Sequence, residues 1–109
     1  MRFITGSQSF HNFKGVLMAY KNYTWGTVCD DSFHEIDAKA ACHSLGFNGL
    51  TEFQTKYHSG FSKSEVSIAM DDVECTSSSE DFVQCKHNGC PNNACCSHNE
   101  DILLTCDWL

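Results

Sequence analysis

The chain has 109 residues, about one domain's worth, and 41% of them are hydrophobic, enough for one modest core and too many for wholesale disorder. Eight cysteines in so short a chain point to a disulfide framework in an oxidising compartment, which argues against an ordinary cytosolic enzyme. Seven basic against 14 acidic residues leave a net charge of -7, which excludes a nucleic-acid reader relying on its own cations, and no apolar run reaches the ~18 residues of a membrane span.

The first run, Arg2-Phe3-Ile4-Thr5, is β-prone and closed by the turn-like Gly6-Ser7-Gln8-Ser9. After Gly15, Val16-Leu17-Met18-Ala19-Tyr20 and Tyr23-Thr24-Trp25-Gly26-Thr27-Val28-Cys29, joined by Lys21-Asn22, predict an antiparallel hairpin. Asp30-Asp31-Ser32 then interrupts the sheet as a polar loop. Ile36, Ala40, Ala41 and Leu45 recur at helical spacing with Cys42 in the same apolar arc, so a helix is expected there. Glu35 and Asp37 complement its dipole at the start, and Gly46 suits its C-terminal cap. Cys42 is expected to point inward and anchor the helix to another element. Residues 48–65 mix Gly, Ser, Thr and Lys with scattered aromatics and are expected to form an ordered, irregular loop. Phe47, Phe53, Tyr57 and Phe61 are expected mostly to cover its underside rather than to form a recognition surface. Alternation from Glu65 to Met70 predicts a strand with Val66, Ile68 and Met70 on its buried face. Glu80 to Lys86 fits one helical turn ending at Cys85, the stretch from His87 to Glu100 is polar and cysteine-dense, and Ile102 to Cys106 is a last strand. Together these elements predict an α+β domain of short strands around one helix.

Several motifs then fall into a known order. They are Gly15 to Tyr20; Trp25-Gly26-Thr27-Val28-Cys29-Asp30-Asp31; Asp37-Ala38 through Cys42 to Leu45-Gly46-Phe47; Met70-Asp71-Asp72-Val73-Glu74-Cys75; Phe82 to Cys85; His87-Asn88-Gly89; and Cys96-Ser97-His98-Asn99-Glu100-Asp101 to Cys106. In order and spacing, from Arg2 onward, they resemble the scavenger receptor cysteine-rich domain. The resemblance implies a small disulfide-stapled fold, a curved antiparallel sheet of short strands cradling one α-helix. A start at Met1 with no basic-then-apolar leader is expected of one such domain, residues 1–109, cut from a larger secreted or membrane-anchored protein.

The family's six-cysteine form implies that Cys29 pairs with Cys96, Cys42 with Cys106 and Cys75 with Cys85. Its eight-cysteine branch adds a bridge between positions that are Phe13 and Phe47 here, so the chain resembles the six-cysteine branch despite its count. Cys90 and Cys95 stand where the family usually has a tryptophan and often an asparagine. Being close in sequence, they are expected to pair and clip one surface loop.

If Cys29 bonds Cys96, Asp30 and Asp31 lie near the loop from Ser97 to Asp101. Carboxylates forced together raise each other's pKa unless a cation neutralises them, and hard oxygen donors on loops suit Ca²⁺, or Mg²⁺, rather than zinc. The alternative is a set of solvated surface acids with no ion. The resemblance implies one cation site from Asp30, Asp31 and Glu100, and a second from Asp31, Asp71 and an asparagine whose place is taken by Cys95. A disulfide-bonded Cys95 is no hard-cation ligand, so the second site needs a replacement such as Asn93. Zinc on His87, Cys90, Cys95, Cys96 and His98 would require reduced thiols, and their spacing matches no common zinc module.

No nucleophile motif is present, and a small stapled domain has little volume for a substrate, so no catalysis is expected. Asn22-Tyr23-Thr24 is an N-glycosylation sequon in the predicted hairpin turn, as befits a secreted protein. The resemblance implies an extracellular, non-catalytic recognition domain of scavenger-receptor type, whose relatives bind polyanions, microbial surfaces and specific proteins. With one arginine, Arg2, and scattered lysines, direct capture of anions is weak, so a bound Ca²⁺ is expected to bridge to anionic or protein ligands. The competing expectation is a structural domain that mediates protein–protein contacts within a multidomain extracellular protein. Neither nucleic-acid readout nor membrane insertion is expected.

Overall fold

The computed structural model describes residues 2–8, 12–21, 23–76, 81–90 and 94–107. In chain order the elements are β1 (Arg2–Gln8), β2 (Asn12–Lys21), β3 (Thr24–Val28), α1 (Glu35–Ser44), β4 (Gly49–Tyr57), β5 (Ser67–Glu74), β6 (Lys86–Asn88) and β7 (Asp101–Asp107). Single 3-10 turns occupy Phe82–Gln84 and His98–Glu100. The strands form one sheet in the order β4-β7-β2-β3-β5-β6, with β1 beside β2.

The long strand β2 organises the sheet because its apolar run is buried on both faces. Val16, Leu17, Met18 and Ala19 are all at most 2% exposed, a continuous rather than alternating pattern. It pairs with β7 over Asn12–Val16 and with β3 over Met18–Lys21, which completes the predicted hairpin. All pairings are antiparallel except β3 with β5, which run parallel with Gly26 beside Ser67 and Val28 beside Met70. Gly26 is required there: a Cβ at this position would sit 2.8 Å from the backbone nitrogen of Ala69.

Helix α1 packs Ala38, Ala41 and Cys42 onto a core that includes Leu17, Val28, Phe33, Met70, Phe82, Ile102 and Leu104. Gly46, with φ of 90°, ends it as expected. Ile36, assigned to the apolar arc from the sequence, is instead 39% exposed, while Asp37 is buried. The helix turns inward on Asp37, whose carboxylate accepts the His34 N–H at 2.8 Å and the Cys75 N–H at 2.7 Å.

Two further expectations change. Strand β1 runs on through Gly6-Ser7 to Gln8 rather than closing in a turn there. Within the expected irregular loop of residues 48–65, Gly49–Tyr57 is a nine-residue strand that pairs with β7. Its register shifts between Leu50 and Glu52 and again between Gln54 and Tyr57, and Lys56 has φ of 54°. These bulges break the alternation that would have marked a strand. Phe47 and Phe53 do cover the core from this segment, and Phe61 meets the His98 ring edge-on. The strand expected over Glu65–Met70 instead begins at Ser67 and runs on to Glu74, with Ile68, Met70 and Val73 buried and Val66 half-buried outside it. The sequon residue Asn22 and the proposed ligand Asn93 lie outside the described residues, as does Glu80, the first residue of the helical turn expected over Glu80 to Lys86. Among the described residues no helix is long and apolar enough to cross a membrane.

Four disulfides join Cys29–Cys96, Cys42–Cys106, Cys75–Cys85 and Cys90–Cys95, and no cysteine is free. Cys42–Cys106 ties α1 to β7, and Cys29–Cys96 brings the end of β3 to the segment that precedes β7.

Candidate cation site

Leaving β3, the chain enters the Asp30-Asp31 loop held by two backbone hydrogen bonds. Cys29 N–H donates to the Met70 carbonyl at 2.9 Å, and Asp30 N–H to the Glu100 carbonyl at 3.1 Å. With the Cys29–Cys96 bridge, these bonds bring together oxygen atoms that lie about 70 residues apart in sequence. A carboxylate oxygen from each of Asp30, Asp31 and Glu100, together with the Cys29 sulfur, all lie within 4.8 Å of one another. The sulfur is committed to its disulfide, so the hard donors are the three carboxylates.

Two of the donors have a structural hold. The other Asp30 contact comes from the bulge in β4, where Lys56 N–H donates to Asp30 Oδ2 at 2.9 Å. Glu100 rides on a 3-10 turn anchored on both sides by buried groups. His98 directs Nδ1 at the Asp101 carboxylate, 2.9 Å away, and Nε2 at the Val66 carbonyl, 2.7 Å away. Ser59 Oγ donates to the same Asp101 carboxylate at 2.6 Å. Both ring nitrogens of His98 are thus engaged, which fixes the orientation of the ring. In the sequence His98 stands out only within the family motif and the zinc set, and neither Lys56 nor Ser59 is singled out. A backbone N–H on a bulge has no sequence signal, whereas His98 and Asp101 flanking Glu100 is a legible one.

The electrostatics show what crowding does. Partial burial, then the charges of Asp30 and Asp31, push the Glu100 carboxyl above its ordinary pKa. Asp71 is likewise raised, by burial first and by Asp31 next. Its Oδ1 is buried without a hydrogen-bond partner, a costly state that an ion or a proton would relieve. Asp71 thus adjoins Asp31 and stands outside the trio formed by Asp30, Asp31 and Glu100. Its neighbour Asp72 turns away, with φ of 53°, to accept from Ser32 Oγ at 2.9 Å. Cys95, bonded to Cys90, gives the second site no oxygen. A polar cleft of about 340 Å³, lined by Ser32, Asp72, Glu74, Lys86, His87 and Asn88, opens beside this loop.

Comparison with known proteins places these features in a family. Residues 6–107 match the family described as the scavenger receptor cysteine-rich domain. Lysyl oxidase homolog 2A of Danio rerio is 34% identical over 104 residues, covering 95% of this chain and 14% of that protein. Lysyl oxidase homolog 2 of Bos taurus is 32% identical over 94 residues, or 86% of this chain and 12% of that protein. The chain thus spans a small part of these relatives, and its match is to their cysteine-rich domain rather than to a catalytic one. Among solved structures, the dimeric form of the SRCR domain of mouse MARCO is similar with a TM-score of 0.72 at 29% identity, covering 97% of this chain and 93% of that one. The third SRCR domain of murine neurotrypsin is similar with a TM-score of 0.70 at 32% identity, covering 88% and 87%.

Proposed function

Because the chain belongs to the scavenger receptor cysteine-rich family, a family of protein-interaction modules, we propose that it is an extracellular, non-catalytic recognition domain that binds its ligands with the help of one Ca²⁺ held by Asp30, Asp31 and Glu100. The observation that carries this reading is the convergence of those three carboxylates on one point, where no ion pair among the described residues neutralises them. All are hard oxygen donors on loops, the donor set that Ca²⁺ prefers, with Mg²⁺ the smaller alternative. A bound ion would supply a positive charge for anionic groups of a polyanion, a microbial surface or an acidic protein segment. The chain's own residues do the rest: the Lys56 N–H aims Asp30, and the buried His98–Asp101 pair fixes the turn that carries Glu100. The unpartnered Asp71 oxygen marks where a second ion would add charge, with Asp31 shared between the two.

Titration calorimetry at millimolar calcium tests the first ion. Three carboxylates on an exposed loop are expected to give a dissociation constant on the order of 10⁻⁴ to 10⁻³ M, and Asp31→Ala should abolish the heat. Absence of binding to the parent chain would make these acids solvated surface. Capture of a sulfated polysaccharide or of bacteria that is lost equally with EDTA and with Asp31→Ala supports recognition. Capture of neither, with calcium bound, would favour the assembly role within a multidomain protein.

A further inference from the structure

We propose that the β2–β3 hairpin carries a second recognition surface, an aromatic groove that docks a basic peptide segment of a partner protein by stacking its cationic heads on Tyr20 and Trp25. The hairpin register sets Tyr20 directly opposite Trp25, and their ring centroids lie 5.3 Å apart. Tyr20 leaves 49% of its surface in solvent, and Tyr23 at the hairpin tip leaves 94%. Tyr23 also has φ of 66°, a left-handed conformation in which hairpin turns ordinarily use Asn or Gly and a bulky aromatic is an outlier. Its ring gains almost no burial, so packing of that ring does not offset the backbone cost. Strain and exposure at one residue together point to a partner.

Between the hairpin and the segment leading into β5 lies a groove of about 340 Å³, lined chiefly by Met18, Tyr20, Tyr23, Trp25, Glu65 and Val66. Charge selects its occupant. The faces of the aromatic rings attract cations, Glu65 places a carboxylate in the same lining, and the chain as a whole carries -7. Glu65 is the charged side chain among the described lining residues, so the charge they carry favours a cationic occupant. Guanidinium stacks on aromatic faces better than ammonium does, so arginine is preferred over lysine. The groove shares no residue with Asp30, Asp31 or Glu100, and its ligand has the opposite sign.

A capped tetra-arginine peptide, titrated into the isotope-labelled chain at about 0.15 M NaCl, reads this out. The Trp25 indole and the rings of Tyr20 and Tyr23 should shift, equally in EDTA and in millimolar calcium, with tetra-lysine weaker and tetra-glutamate silent. Tyr20→Ala should weaken binding about tenfold and Glu65→Gln about threefold. Tyr23→Ala, which removes only exposed surface, should weaken it measurably even if Tyr20→Ala disturbs the hairpin. The proposal is overturned by shifts that centre on Asp30, Asp31 and Glu100 and vanish with calcium. Unchanged affinity in the Tyr23 variant, or self-association of the chain through the groove in place of peptide binding, would overturn it as well.

Discussion

Asp37 lies in the first turn of α1 and Glu100 on a 3-10 turn, and the two acids do opposite things. Asp37 accepts two backbone N–H groups while buried. Hydrogen bonds to a carboxylate contribute roughly 1.5–3 kcal/mol each, so losing both in Asp37→Ala should cost about 3–6 kcal/mol in urea unfolding, and Asp37→Asn, which keeps one acceptor, less. Glu100 is held above its ordinary pKa by partial burial and by Asp30 and Asp31. The native state therefore holds this proton more tightly than the unfolded chain does. The stability it lends is fully present at low pH and is lost as pH rises from the ordinary glutamate value through the raised native one. In EDTA at neutral pH, Glu100→Gln should then melt higher than the parent, and its stability should fall less across the weakly acidic range. A variant that melts lower under those conditions would show that the repulsion is not felt. Asp37 was legible in the sequence only as a partner of the helix dipole. Its second acceptor contact reaches Cys75, 38 residues away, and no local pattern encodes such a distance.

At the scale of elements, legibility follows the range of the interactions. The β2–β3 hairpin, α1 and β7 were readable because their apolar residues repeat at local spacings that survive burial. Strand β4 was not: it pairs with β7 some 50 residues later, its outward positions are polar, and its two register shifts spoil the period. The parallel pairing of β3 with β5 is equally silent in sequence, although each strand is readable, and it imposes a tight steric demand. Gly26→Ala would drive a Cβ onto the Ala69 backbone, with Ala69 Cβ at 2.9 Å. Overpacking of this kind costs about 1–3 kcal/mol, and hydrogen exchange should show the loss concentrated in β3 and β5. The disulfides divide similarly. Cys42–Cys106 closes 64 residues and fastens the helix to the sheet, whereas Cys90–Cys95 closes five. Loop-closure entropy assigns them roughly 4 and 2 kcal/mol. Cys90→Ser with Cys95→Ser should leave a folded domain by circular dichroism, and Cys42→Ser with Cys106→Ser should lower the midpoint far more.

For the whole molecule, the candidate ion and the disulfides have separable roles. Two bridges of 67 and 64 residues and a core reaching from α1 across β2 and β7 hold the fold together. The meeting of Asp30 and Asp31 with Glu100 is a consequence of that frame, legible only through the family resemblance that pairs Cys29 with Cys96. An ion bound there should stabilise the native state by mass action alone, since the carboxylates are brought together only in the folded chain. At tenfold over its dissociation constant the gain is about 1.4 kcal/mol, or roughly 5–10 °C in melting temperature for a domain of this size. Calcium at several millimolar should therefore raise the Tm by that amount while leaving far-UV spectra unchanged, and Asp31→Ala should erase the shift. With a net charge of -7, part of any increase could come from screening, so the comparison must be made at a constant ~0.15 M NaCl, where the Debye length is already about 8 Å. Reduction of the disulfides, by contrast, should unfold the chain whether calcium is present or not. A calcium shift that persists in Asp31→Ala would assign it to general charge neutralisation and remove the ion from the site.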